Sequence, residues 1–360
     1  MKKLLSLFMT FSIALALFAG CSTRAEPTPQ EAPKDSGAPE TSGASTFHIV
    51  ATIFPIYDWL REIVGESENV ELTLLLHNGV DLHSYQPSVD DIIKISTCDV
   101  FIYTGGESDL WVYDVLKSAT NEDMLVINLL DALGDRAVIE EIIEGMEHDH
   151  GHEHHHDHDH EHDHSHDHEH DYSHDYNYAH EAVLDEHIWL SLKNAKLLCA
   201  YLELALSELD SGNAGFYAAN AAGYIARLDA LDEEYAQVVS AAGCDTLLFA
   251  DRFPFRYLVD DYGLSYFAAF SGCSAETEAS FETVIFLARK LDELGLSHIM
   301  IIDTSDGALA RTVSQSSSGK NQNILALNSM QAVSAVEISA GISYLSIMED
   351  NLTVLKAALN

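Results

Sequence analysis

Short β-rich apolar runs alternate along much of this chain with stretches whose apolar residues recur every three or four positions. In the first half, "FHIVATIF" from Phe47 and "VELTLLL" from Val70 have the β-branched and aromatic density of strands. Between them, "IYDWLREIVG" has helical spacing and stops at Gly65, a residue suited to closing a helix. "VDDIIKISTC" from Val89 predicts another helix, and "DVFIYTG" from Asp99 and "MLVINLL" from Met124 predict strands. "LSLKNAKLLCAYLELALSELD" from Leu190 again reads as a helix. The stretch from Asn213 to Gly243 then sets Phe216, Tyr217, Tyr224, Leu228, Leu231, Tyr235 and Val238 at helical spacing, a helix of unusual length. The alternation resumes with strands "DTLLFA", "LSYFAAF" and "HIMIID" and helices "FRYLVDDYG" and "ETVIFLARKLDELG".

Strand and helix in alternation argue for βαβ units and parallel sheets. The expected fold is therefore α/β, two parallel-sheet lobes joined by one long backbone helix. The expected limits are 47–212 for the first lobe, 213–242 for the linking helix and 243–360 for the second lobe. Three segments fall outside this rhythm. Residues 1–20 have a basic start at Lys2 and Lys3 and an apolar core too short for a comfortable membrane span, which predicts a signal peptide. "LFAGC" places small residues before Cys21, as in a lipoprotein processing site, with an uncleaved anchor as the alternative. Lipid on Cys21 would hold the protein to the outer side of the cell membrane, on the cell surface or in the periplasm. Residues 21–46, rich in Pro, Ser, Thr, Ala and Gly, read as a disordered tether.

The third segment, 147–180, changes the picture most. It holds fifteen of the twenty histidines: His148, His150, His152, His154, His155, His156, His158, His160, His162, His164, His166, His168, His170, His174 and His180. Most gaps between them are Asp or Glu, and little that is apolar is available to pack, so the tract is expected to be disordered without metal. Neutral imidazoles are good ligands for borderline metals, and the interleaved carboxylates concentrate cations. A plain solvated spacer is the alternative, but a spacer has no need of histidine. The formal net charge of −40 disfavours nucleic acid, whose phosphates require a basic surface. Cys98, Cys199, Cys244 and Cys273 show no C-x-x-C pairing, so a disulfide and free thiols both remain open.

In open parallel sheets, ligands bind in loops beyond the carboxyl ends of the strands. "GVDLHSYQPSVDDI" from Gly79 is such a loop and carries His83, while "DEHIWLSLKNAK" from Asp185 places His187 just before a helix. Trp59, Trp111 and Trp189 read as core residues. Gly105 to Ser108, "GGES", is too short for a phosphate loop and lacks lysine, and the chain has no G-x-S-x-G or H-E-x-x-H motif.

Those two histidine motifs resemble the metal-binding motifs of bacterial zinc/manganese ABC-transporter substrate-binding lipoproteins, the cluster A-I group. "GFYAANAAGYIARLDALDEEY" is similar to that group's interlobe helix, and "FRYLVDDYGL" to a motif of its second lobe. The resemblance covers about Phe47 to Asn360, and the zinc-uptake members also carry a His-rich loop before the second metal histidine. It implies capture of Zn2+, with Mn2+ less suited to a His-rich site, and delivery to an ABC permease and its ATPase by a monomer. It further implies His83 and His187 as cleft ligands and the tract as a low-affinity gathering loop.

The second lobe departs from the family's pattern. Arg252 stands where a third ligand is expected, and arginine cannot ligate. The adjacent Asp251 is the carboxylate that could substitute; otherwise Arg252 makes a structural ion pair. Asn328 stands where the family has an Asp, and Glu276 and Glu278 are further carboxylates, read as a solvated loop or helix start. The competing functions are a surface zinc metallohydrolase and a metal-buffering adhesin. The reading adopted is binding, not catalysis.

Overall fold

A computed structural model describes residues 46–146, 183–274 and 278–360. Cys21, the tether, every histidine of the 147–180 tract and Glu276 lie outside the described residues. Among the described residues, eight strands form two four-stranded parallel sheets: β1 Phe47–Ala51, β2 Val70–Leu74, β3 Val100–Tyr103 and β4 Leu125–Asn128 in one, β5 Thr246–Phe253, β6 Ser265–Ser271, β7 His298–Ile302 and β8 Asn323–Leu327 in the other. Their orders are β2-β1-β3-β4 and β6-β5-β7-β8, with every pairing parallel. The helices are α1 Phe54–Val64, α2 Val89–Thr97, α3 Trp111–Leu116, α4 Leu129–Leu133, α5 Leu192–Leu209, α6 Ala214–Ser240, α7 Arg256–Tyr262, α8 Phe281–Leu294, α9 Ala308–Ser316, α10 Ala335–Ser339 and α11 Tyr344–Ala358. Two α/β lobes and a long connecting helix are the architecture expected from the periodicity.

The long helix shows why it can serve both lobes. Its buried residues are Tyr217, Ala221, Tyr224, Leu228, Leu231 and Tyr235. They follow each other at alternating four- and three-residue steps, one narrow stripe along 27 residues. That stripe packs on α1 and α5 of the first lobe and on α7 and α11 of the second. Phe216, in the same apolar pattern, is instead 44% exposed. Trp59 and Trp189 are fully buried and Trp111 partly so, all against the main core. The four cysteines among the described residues are free thiols, with Cys98 and Cys199 buried.

One expected strand is cut short. "MLVINLL" reads as continuous strand, yet the chain turns into α4 at Leu129. The cause is local: the Asn128 side chain accepts hydrogen bonds from the amides of Leu130 and Asp131 and caps a helix. β8 and α11 carry no comparably clean sequence pattern; they pack on each other, and Asn351 of α11 is hydrogen-bonded to the backbone of Asn328 just after β8.

Candidate metal centre

His83 lies in a single 3-10 turn, Leu82–Ser84, beyond the carboxyl end of β2. Asp81 caps that turn by accepting the His83 amide at 3.0 Å. The other Asp81 oxygen is ion-paired with Arg252 at 2.6 Å, so a residue of the second lobe steadies the His83 turn. This contact holds the Asp81 carboxyl below its ordinary range: burial raises it, and the hydrogen bond and charge of Arg252, with His83, more than offset that.

His187 sits before the turn that leads into α5 and is fully buried. Asp185 accepts its backbone amide at 2.9 Å and contacts its Nδ1 at the same distance. Nδ1 of His83 meets Ser108 Oγ at 2.8 Å and Glu186 Oε1 at 3.1 Å. Glu186 is in turn held by the Ser108 amide at 3.0 Å and by the Ser108 hydroxyl. Carboxylates only accept, so in each neutral ring the proton resides on Nδ1 and the lone pair on Nε2. Acid groups behind the imidazoles are the usual outer partners of metal-binding histidines.

The two Nε2 atoms face each other 3.4 Å apart. A tetrahedral ion with metal–nitrogen bonds of about 2.0–2.1 Å separates two nitrogen ligands by about 3.3–3.4 Å. The spacing therefore matches that of two imidazole ligands sharing one zinc ion. Gln331, only 3% exposed, closes the triangle: its Nε2 lies 2.9 Å from His83 Nε2 and 2.7 Å from His187 Nε2.

Electrostatics follow from this packing. Burial disfavours charge on His187, but the charge and hydrogen bond of Asp185, with the charges of Glu186 and Glu140, outweigh it and raise its pKa. Burial would likewise raise Glu186, yet the hydrogen bond from His83, the charge of His187 and the Ser108 hydroxyl pull it below its ordinary value. Asp109, whose carboxylate accepts the Thr104 and Gly105 amides, is pushed up to about 7 by burial. The pocket thus holds more acid than base and suits a cation.

Among the described residues, His83, Glu186 and His187 form the cluster whose ligand atoms come within 4.8 Å of one another. Asp251 and Asn328 are not brought into it. Asp251 instead accepts the amides of Arg252 at 2.9 Å and Ile302 at 3.4 Å, and lines a separate cavity with Glu278. Asn328 accepts the Met330 amide at 2.8 Å, shaping a turn. The sequence reading missed Glu186 and Gln331. Glu186 lies in the quoted "DEHIW" motif, but its partner His83 is distant in sequence, and a neutral glutamine is not a usual zinc ligand.

Residues 49–358 match the family described as zinc-uptake complex component A, periplasmic (ZnuA). The zinc-binding lipoprotein AdcA of Streptococcus pneumoniae is 30% identical over 311 residues, 86% of this chain and 55% of that protein. This chain thus spans little more than half the length of that relative. The high-affinity zinc uptake system protein ZnuA of Bacillus subtilis is 27% identical over 323 residues, 90% of each chain. The crystal structure of the Zn(II)-bound ZnuA-like domain of the pneumococcal AdcA superposes with a TM-score of 0.64 at 25% identity, covering 88% of this chain and 99% of that one.

Proposed function

This chain belongs to the zinc-uptake complex component A family, and on that premise we propose that it captures Zn2+ outside the cytoplasmic membrane and delivers it to an ABC permease and its ATPase. The observation that carries the reading is the pair of Nε2 atoms 3.4 Å apart, each ring backed by an acid on its Nδ1. His83 and His187 are the ligands in this reading. Glu186 orients His83 and Asp185 orients His187; both supply compensating charge. Imidazole ligands favour zinc over manganese, which takes more carboxylate and water. The act is capture: imidazole lone pairs replace the ion's hydration water.

The rest of the reading rests on sequence and on the relatives. Lipid on Cys21 anchors a monomer to the membrane, and the relative named a zinc-binding lipoprotein supports that anchor. The 147–180 tract gathers zinc weakly and raises its concentration beside the cleft, since its last histidine, His180, stands seven positions before His187 in the sequence. The test is zinc binding by the full chain in competition with a chelator strong enough to strip the weak tract sites. His83→Ala and His187→Ala should each weaken the tight site by orders of magnitude while the fold persists. Unchanged affinity in both would remove the reading.

A further inference from the structure

The stretch of chain that carries His187 is gripped from the second lobe. Tyr257 and Asp261 stand one turn apart on α7, so both point to the same side of that helix. The buried Tyr257 hydroxyl donates to the backbone carbonyl of Asp185 at 2.8 Å, two residues before the ring. The Asp261 carboxylate accepts the Ser191 hydroxyl at 2.5 Å, and its carbonyl accepts the Lys193 ammonium at 2.6 Å, a few residues beyond the ring. α7 thus holds the chain on both sides of His187.

The upstream grip has an unusual form. Residues 183–185 run antiparallel to 138–140: the Asp185 amide donates to the Val138 carbonyl at 2.9 Å, and the Glu140 amide to the Val183 carbonyl at 2.8 Å. In a regular ladder of this register, Val138 and Asp185 exchange two hydrogen bonds. Only one of them is direct here. The other is intercepted: the Val138 amide donates to the Tyr257 oxygen at 3.1 Å, and the phenol donates its own O–H to the Asp185 carbonyl. A hydroxyl donates and accepts at once, and burial pushes its pKa well up, so it stays a donor. Phenylalanine would fill the same space and let the ladder close, so the hydroxyl serves position and not packing. The 138–145 arm is itself tied to the second lobe, Glu140 accepting the Cys273 amide at 3.0 Å and the Gly145 carbonyl the Thr283 hydroxyl at 3.1 Å.

We propose that Tyr257, with Asp261 one turn on, is a positioning residue for the zinc site: its phenol is a wedge through which the second lobe sets the His187 ring. The relay has three steps. α7 fixes the phenol, the phenol fixes the Asp185 backbone, and the Asp185 carboxylate holds the His187 amide and Nδ1, each at 2.9 Å. The wedged ladder has a second arrangement close at hand. Withdrawal of α7 removes the hydroxyl and lets the Val138 amide close directly on the Asp185 carbonyl, which draws Asp185 from its place behind the ring. Movement of the second lobe thereby reaches the bound ion through the acid that orients its ligand.

This inference rests on the zinc-capture reading, and the experiment tells the two apart. In the full chain, zinc release is followed with a chelator in excess, and the visible spectrum of cobalt(II) in the tight site reports its geometry. Tyr257→Phe should release zinc about tenfold faster and alter the cobalt spectrum. Tyr235→Phe is the control, because that buried hydroxyl also donates to a backbone carbonyl, that of Met348 in α11, at 2.7 Å. It should lose similar stability in urea yet keep the native rate and spectrum. In an Asp185→Ala background the relay is already cut, so Tyr257→Phe should change the rate by less than about twofold. Equal acceleration by both tyrosine variants, a tenfold effect that persists without the Asp185 carboxylate, or a native rate and spectrum in Tyr257→Phe would each overturn the proposal. Should Tyr257→Phe fail to fold, Asp261→Ala decides, since it loosens the other grip of α7; a native release rate there overturns the proposal. Tight binding lost in His83→Ala beside a native Tyr257→Phe would sink the relay and leave zinc capture standing. Native binding in His83→Ala would sink both.

Discussion

Replacing Gly272 by alanine adds one methyl group where the structure leaves no room beside the site. A Cβ at this position would lie 2.9 Å from His187 Cε1, 3.1 Å from His187 Nδ1 and 3.0 Å from the carbonyl oxygen of Phe253. Carbon atoms pack comfortably at about 3.5–4.0 Å, so the methyl intrudes by about half an ångström or more. Neither neighbour retreats easily. The imidazole is fully buried, bound to Asp185 through Nδ1, and packed 5.3 Å from the Trp189 ring. The carbonyl belongs to the end of β5. Overpacking of this kind costs about 1–3 kcal/mol. A ring pushed by several tenths of an ångström leaves the roughly 0.2 Å tolerance of a zinc bond, so zinc should bind at least about tenfold more weakly, or about 1.4 kcal/mol. Urea unfolding and chelator competition measure the two losses separately. Gly223→Ala is the control, since a Cβ there meets nothing within 4 Å inside α6. It should leave zinc affinity alone and raise stability by up to about 1 kcal/mol. A Gly272→Ala protein with native stability and native zinc affinity would refute the steric reasoning.

Three further outcomes are expected. Asp58, buried and accepting the Tyr344 amide at 2.7 Å, is raised from 3.8 to about 6, chiefly by burial. An acid raised on folding keeps its proton better when folded, so stability falls as pH climbs from about 4 to 6, by about 3 kcal/mol; Asp58→Asn should flatten that slope in urea titrations, and an unaltered slope would contradict it. His187 is raised mainly by Asp185, against burial, so protons should begin to displace zinc above the ordinary imidazole range of about 6.5. Asp185→Asn should move the loss of affinity to lower pH, and a shift to higher pH would count against this cause. Arg252→Met frees Asp81 from the cap of the His83 turn and should cost roughly 1–2 kcal/mol. It should also weaken zinc binding although a positive charge is removed nearby; tighter binding would mean simple repulsion governs.

Much of the architecture is legible from periodicity because strands and helices report their environment locally. The single-faced stripe from Tyr217 to Tyr235 announces a helix packed along one side, and the β-branched runs announce buried parallel strands. Legibility fails where two local signals compete. At Asn128 a side-chain cap overrides an apolar run that continues through Leu130, and the strand becomes a helix. In the site, His83 and His187 stand out because imidazole is the ligand type sought and each lies in a marked loop. Asp251 attracts notice for the same chemical reason, yet its oxygens are spent on the Arg252 and Ile302 amides.

By itself the sequence determined which elements form, because hydrophobic period and capping chemistry act within a few residues. It also determined that the chain presents one imidazole in a loop beyond a parallel strand, another just before a helix, and a histidine tract besides. Only the tertiary structure decided that those two rings meet at 3.4 Å, with Glu186 behind one, Asp185 behind the other and a glutamine amide between them. Gln331 reaches them from 144 and 248 residues away along the chain. No local rule encodes such distances: they follow from how two sheets, the α6 helix and the turn at Met330 pack together.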